Sequence, residues 1–315
     1  MKLNDHSIIG IDIGGTKIGI VKSNAPAPDQ RPEFLREIRF QTTTVVETLE
    51  RILQSITEMA PGDSPRFGIV CGDPMDTARG IIQSPPNLPG WDNIHITKLL
   101  TDRFGGEAYL MNDANAGAVA EWLYGAARGC RNVAFLTHGT GMGAGLIING
   151  CLYEGACGLA GEIGHIRMTN DGPVGYGKPG SFEGWTSGAG IARLAKCMSD
   201  EGSVHIPNHY DLTKITTKDI ADAARAGNDW AVRILTESGK LLGRGLAILI
   251  DILNPEIIVL GSLYSRMAAF LEPAMRSAIQ EEALPRSAAA CRIVAAELGD
   301  AIGYYAALSV ALMDR

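Results

Sequence analysis

Two short stretches of this 315-residue chain gather groups able to hold an anion. The first, Asp12-Ile13-Gly14-Gly15-Thr16-Lys17, lies between the apolar runs Ile8–Ile11 and Ile18–Ile20. Adjacent glycines let backbone N–H groups converge and let a bulky anion approach. Thr16 and Lys17 add side-chain donors, and Asp12, at a strand end, suits a metal-bound water. An ordinary glycine hairpin has the same composition, and the order Gly-Thr-Lys is not that of a Walker A loop, which ends Gly-Lys-Ser/Thr. The second stretch, Thr137-His138-Gly139-Thr140-Gly141-Met142-Gly143, repeats the device about 125 residues later, again between apolar runs.

Three further places carry reactive or polar groups. Asn112-Asp113-Ala114-Asn115 follows an apolar run and precedes a helix; one Asx side chain suffices as the helix cap, which leaves the others for a ligand. Residues 151–187 are crowded with glycine and hold Glu162, His165 and Glu183. A loop that long is either functional or disordered, and its Ile163, Ile166, Phe182 and Trp185 argue against disorder. Gly261-Ser262 turns a strand sharply into a helix, which aims a helix N-terminus toward a ligand.

The elements that must position these groups alternate between strand and helix. Apolar runs at Phe67–Cys71, Ala108–Met111, Val133–Thr137, Glu256–Leu260 and Arg292–Ala295 read as strands. Helical spacing marks a helix introduced by Thr44 and ended by Pro61-Gly62-Asp63, then Ile96–Phe104, Ala116–Tyr124, Ser187–Met198, Thr217–Ala226, Asp229–Leu253, Tyr264–Glu281 and Gly303–Met313. Such an α/β chain places ligand-binding residues just past strand C-terminal ends. Each half opens on a hairpin with a glycine-and-threonine turn. That points to the duplicated actin/hexokinase-like (ribonuclease H-like) fold, with domains at 1–115 plus 301–315 and at 116–300 and a nucleotide in the cleft between them.

A net charge of −7 and a pI near 5.4 offer no broad attraction for nucleic acid or an anionic membrane surface. No apolar run approaches the ~20 residues of a membrane span, and Met1–His6 shows no signal-peptide core. The six cysteines form no Cys-x-x-Cys pair and read as buried, reduced thiols of a cytoplasmic protein.

Several stretches together resemble the ROK family of sugar kinases and repressors: Asp12–Lys17, Pro86-Asn87-Leu88-Pro89-Gly90-Trp91, Asn112–Asn115, Thr137–Gly141, Ala160-Gly161-Glu162-Ile163-Gly164-His165, Leu253–Gly261 and Leu298–Asp300. The resemblance covers nearly the whole chain and implies ATP-dependent phosphorylation of a hexose or N-acetylhexosamine hydroxyl. It implies Asp113 as general base and Asn87, Asn112, Glu162, His165 and Glu183 as sugar ligands. Gly14, Gly15, Thr16 and Lys17 match one phosphate loop, and Gly139, Thr140 and Gly141 the other. Asp12 would stand near Mg²⁺, and Gly261 and Ser262 at the adenosine. A homodimer is expected.

The family's zinc cysteines are replaced by Val174, Tyr176 and Ser181, so no structural zinc is expected, with Tyr176 and Phe182 packed in its place. Asp73 stands where the family usually has Gly or Pro, as a turn cap or a contributor to substrate choice. A repressor would need a helix-turn-helix of roughly 60–80 residues before the core. The first strand begins near residue 7, so a kinase is expected; the remaining alternative is a catalytically weak sugar-binding regulator.

Overall fold

The computed structural model describes residues 7–27, 30–62 and 64–313. The amino-terminal residues 1–6 and Asp63 of the helix-ending turn lie outside the described residues. The chain divides into two compact units, 1–129 with 297–315, and 130–296.

In chain order the first unit contributes β1 (Ile8–Ile13), β2 (Lys17–Ser23), β3 (Arg36–Gln41), α1 (Val45–Met59), β4 (Arg66–Cys71), α2 (Ile96–Phe104), β5 (Glu107–Asn112) and α3 (Asp113–Tyr124). The second contributes β6 (Val133–Leu136), β7 (Ala144–Ile148), β8 (Cys151–Leu152), α4 (Phe182–Thr186), α5 (Gly188–Asp200), α6 (Thr217–Arg225), α7 (Asp229–Leu253), β9 (Ile257–Leu260), α8 (Ser262–Glu282), α9 (Pro285–Ala290) and β10 (Arg292–Ala295). The last helix, α10 (Ile302–Leu312), belongs again to the first unit.

The first unit's sheet has the order β3-β2-β1-β4-β5, and the second unit's has β8-β7-β6-β9-β10. In both, the first three strands are antiparallel neighbours and the last two add in parallel. Each unit therefore carries the same five-strand order, as the two glycine hairpins led one to expect.

Alternation along β1 sorts its residues by face. Ile9, Ile11 and Ile13 join Phe67, Ile69, Ile52 and Leu100 in the core beneath α1 and α2. On the other face, a Cβ at Gly68 would lie 1.9 Å from the Ala307 carbonyl oxygen, so α10 rests directly on the sheet backbone. α10 is apolar nearly all round, as a helix buried on all sides must be. Glu121 of α3 is fully buried and accepts from the backbone N–H groups of Ala126 (2.8 Å) and Leu298 (3.0 Å). These bonds, with the packing of α3 against α10, draw 116–129 and 297–300 into the first unit. The two compact units thus meet at 129/130 and 296/297 along the chain.

Two other expectations shift. α3 begins at Asp113, not Ala116, because Asn112 is its cap. Of the six cysteines only Cys71 and Cys130 are buried, while Cys151 and Cys157 are exposed.

Candidate active site

In the first unit, β1, β4 and β5 run parallel with Ile13, Cys71 and Asn112 in one row. That register brings Asp12, Asp73 and Asp113 to one sheet edge, the C-terminal edge where α/β proteins bind ligands. Burial pushes the Cys71 thiol far up, and the carboxylates of Asp113, Asp12 and Asp73 push it further.

Asp113 is exposed on the first turn of α3. Its neighbour Asn112 is held from both sides. Asn112 Oδ1 accepts from Ala114 N (2.8 Å) and Asn115 N (3.1 Å), and its Nδ2 donates to Asp73 Oδ2. The cap fixes which way the amide points, and Asp73 takes the donor side. Asp73 is thus a partner of Asn112, a role its position in a turn did not reveal.

Burial raises the Asp12 carboxyl above its ordinary value, while Lys17 and Arg39 pull it back. A Cβ at Gly303 would lie 2.1 Å from Asp12 Oδ2, so the first turn of α10 covers the carboxylate. The loop between β1 and β2 is closed by Gly14 N to Lys17 O (3.1 Å) and by Thr42 Oγ1 to Gly14 O (2.6 Å). Gly15, Thr16 and Lys17 are exposed. A Cβ at Gly15 would lie 2.2 Å from the Asn87 carbonyl oxygen, so Asn87 belongs beside this loop with its backbone turned onto it.

In the second unit, the loop between β6 and β7 is braced by Thr137 N to Gly143 O (3.0 Å) and Gly143 N to Thr137 Oγ1 (3.1 Å). A cavity of about 490 Å³ opens beside it, lined by Gly139, Thr140, Gly188, Thr217, Ser262 and Arg266, among others. Gly139, Thr140 and Ser262 therefore come together. Gly261 lies behind the cavity wall, where a Cβ would meet the Thr137 carbonyl oxygen at 1.9 Å, and Gly141 faces Glu183 instead. The sequence reading missed Thr217 and Arg266; the available signal was the capping box of α6, in which Thr216 Oγ1 and the Asp219 carboxylate exchange bonds with each other's backbone N–H.

Glu162, His165 and Glu183 also gather. Ile163–His165 forms one turn of 3₁₀ helix after Glu162, and a Cβ at Gly164 would sit 2.2 Å from Met142 O and 3.3 Å from Glu183 Cβ. Glu162 is exposed, and Glu183 is half-buried on the first turn of α4, whose cap is Ser181. The Glu183 carboxylate accepts from Met142 N at 3.0 Å.

The His165 ring meets Tyr176 edge-on at 4.9 Å. Tyr176 stays 65% exposed, whereas Phe182 is buried against Gly245 in the unit's core, with its N–H donating to Ile166 O (2.8 Å) at the end of the His165 turn. Lys178 Nζ donates to His165 O (2.6 Å) and Arg193 donates to Val174 O (2.6 Å). Valine, tyrosine and serine offer no thiolate set for zinc. Among the described residues no three His, Cys, Asp or Glu side chains form a metal-holding group.

The ROK family profile matches residues 8–313. The chain belongs to the ROK family. It is 31% identical to a glucokinase of Thermotoga maritima over 96% of both chains. It is 29% identical to an N-acetylmannosamine kinase of Citrobacter koseri over 88% of this chain and 90% of that one. The crystal structure of a ROK family glucokinase from Streptomyces griseus in complex with glucose and AMPPNP matches with a TM-score of 0.74 at 28% identity, covering 97% of this chain and 98% of the other.

Proposed function

We infer that this ROK protein is an ATP-dependent sugar kinase that phosphorylates a neutral hexose or N-acetylhexosamine, with Asp113 as the general base. The observation that carries the reading is Asp113 itself: an exposed carboxylate at the start of α3, beside an Asn112 amide held by two backbone N–H groups and by Asp73. As the sugar hydroxyl oxygen attacks the γ-phosphorus, its proton passes to Asp113, and the bond to the departing ADP oxygen breaks. Positioning and charge neutralisation supply most of the acceleration in such transfers. The carboxylates of Asp12, Asp73 and Asp113 disfavour an acidic acceptor and favour a neutral polyol.

Asn87, Asn112, Glu162, His165 and Glu183 are assigned to the sugar hydroxyls. The cavity beside Gly139, Thr140 and Ser262 is of a size to take adenosine. Gly14–Lys17 and Gly139–Gly141 would hold the phosphates through backbone N–H groups, with Lys17 adding charge. A lone carboxylate suits a hydrated Mg²⁺ bound chiefly through phosphates, so Asp12 would hold it through water, and it would neutralise charge on the transferred group. No structural zinc belongs to this reading; one tightly held zinc per purified chain would overturn that part. A homodimer and a cytoplasmic location complete it, and no helix among the described residues is long and apolar enough to cross a membrane.

The test is ADP release over a panel of glucose, N-acetylglucosamine, N-acetylmannosamine and mannose. Sugar-dependent turnover is expected with at least one; release no faster than in sugar-free buffer for all of them would defeat the reading.

A further inference from the structure

His138 is buried completely yet belongs to none of the assigned ligand sets. Burial pushes its imidazole down to about 4, so the ring is neutral. Its Nε2 lies 2.9 Å from Thr186 O, a carbonyl that can only accept, so Nε2 carries the hydrogen and donates it. Nδ1 has no hydrogen-bond partner among the described residues. The backbone sits at φ +35°, the left-handed region that a side chain disfavours. A fully buried ring with a bare nitrogen on a strained backbone is a poor choice for packing alone.

Its connections suggest what it is for. His138 begins the loop that lines the cavity, and Thr186 ends the helix that carries Glu183. Three more bonds tie the same loop to α4 and the start of α5: Met142 N to Glu183 Oε2 (3.0 Å), Gly188 N to Gly139 O (2.8 Å) and Ala189 N to Thr140 O (3.2 Å). The His138 carbonyl also accepts from Leu263 N (3.0 Å) in the first turn of α8. The loop assigned to nucleotide and the helix assigned to sugar are therefore one hydrogen-bonded body, with His138 the only side chain of the loop that reaches the far end of that helix.

We propose that His138 is a positioning residue that transmits occupancy of the nucleotide loop to Glu183, so that nucleotide and acceptor sugar bind cooperatively. The inference rests on the sugar-kinase reading above. Ordering of the loop by phosphate holds the Nε2–H on Thr186 O and the Met142 N–H on Glu183. A sugar arriving at Glu183 then finds its ligand already oriented, and by reciprocity the sugar tightens nucleotide binding by the same factor.

The test is calorimetric titration of the full chain with whichever of glucose, N-acetylglucosamine, N-acetylmannosamine and mannose supports turnover, with and without magnesium AMPPNP. In the unsubstituted protein AMPPNP should tighten sugar binding about fivefold or more. In His138→Leu that factor should fall below about twofold while each ligand alone binds within about threefold of its original affinity. His138→Gln, whose amide N–H can reach Thr186 O, should recover most of the factor. A merely structural role would lower the melting temperature and leave the factor intact. An undiminished factor in His138→Leu, or a His138→Gln variant no better than leucine, would overturn the proposal. If the leucine variant does not fold, hydrogen exchange decides: AMPPNP alone should slow exchange at residues 183–189 of the unsubstituted protein, and unchanged exchange there would equally overturn it. Binding of none of the four sugars would instead defeat the sugar-kinase reading beneath it.

Discussion

The loop Gly14–Thr16 after β1 and the loop Thr137–Gly143 after β6 occupy the same place in two sheets of one strand order, but they are furnished differently. The first is flanked by charge, Asp12 before it and Lys17 after it, and its Gly15, Thr16 and Lys17 are exposed. The second contains no ionised side chain and is tied by four hydrogen bonds to α4 and the start of α5. An exposed, charged turn meets the charge of a ligand directly. A turn of backbone N–H groups braced against neighbouring helices offers a cradle that shares its ordering with those helices. The same frame thus occurs twice, with electrostatics prominent in one copy and coupling to neighbouring helices in the other.

Four experiments would break or sharpen that contrast. The largest effect belongs to the first unit's chemistry: Asp113→Asn should lower kcat about a thousandfold while sugar affinity, read by calorimetry, stays within about tenfold. Unimpaired turnover would remove Asp113 as base and leave the first unit with binding alone.

Next in size is an acid limb belonging to the second loop. His138 is pushed down to about 4 from an ordinary value near 6.5, so below pH 6.5 the unfolded chain binds a proton that the folded one refuses. Stability from this group is therefore full above pH 6.5 and drains as pH falls toward 4, by about 3 kcal/mol in all. Urea unfolding between pH 7 and 4 should show that loss, and His138→Leu should flatten it.

Rigidity of the second loop predicts the third result. At Gly261 an added Cβ would run into Thr137 O at 1.9 Å, a backbone atom that no side-chain rotation can move aside. Gly261→Ala should therefore cost about 2 kcal/mol. Gly139→Ala, whose nearest non-neighbouring atom is 3.9 Å away, should leave the melting temperature nearly unchanged and act on the KM for ATP instead. Equal destabilisation by both would contradict a loop anchored at one end and open at the other. The smallest effect is electrostatic: Lys17→Met should raise the KM for ATP about tenfold, an effect that shrinks with added salt because Lys17 is exposed.

Much of the frame was legible locally. Helices at Ile96–Phe104 and Asp229–Leu253 and the strand Arg292–Ala295 fall where their periodicity placed them. The cap Thr44 is visible in sequence because a cap is a bond between residues two or three apart, whereas at 112–115 the same signal says that one Asx caps the helix but not which. α9 was missed because a six-residue helix with no buried side chain leaves no periodic trace. The grouping of Glu162, His165 and Glu183 followed from motif order. Their attachment to Met142 did not.

Repeats, caps, apolar periods and the two glycine turns were written in the order of residues, since each depends on neighbours a few positions apart. Partnerships across long separations were not. Asp73 meets Asn112 from 39 residues away, Met142 meets Glu183 from 41, and His138 meets Thr186 from 48. Those distances close only when strands pair in register and helices settle on the sheets, because no local preference of a histidine or an aspartate specifies which distant backbone it will face. Thus the order of residues makes Asp113 a candidate base, whereas folding gives it a locked Asn112 beside it and gives a histidine among glycines a rigid loop to hold.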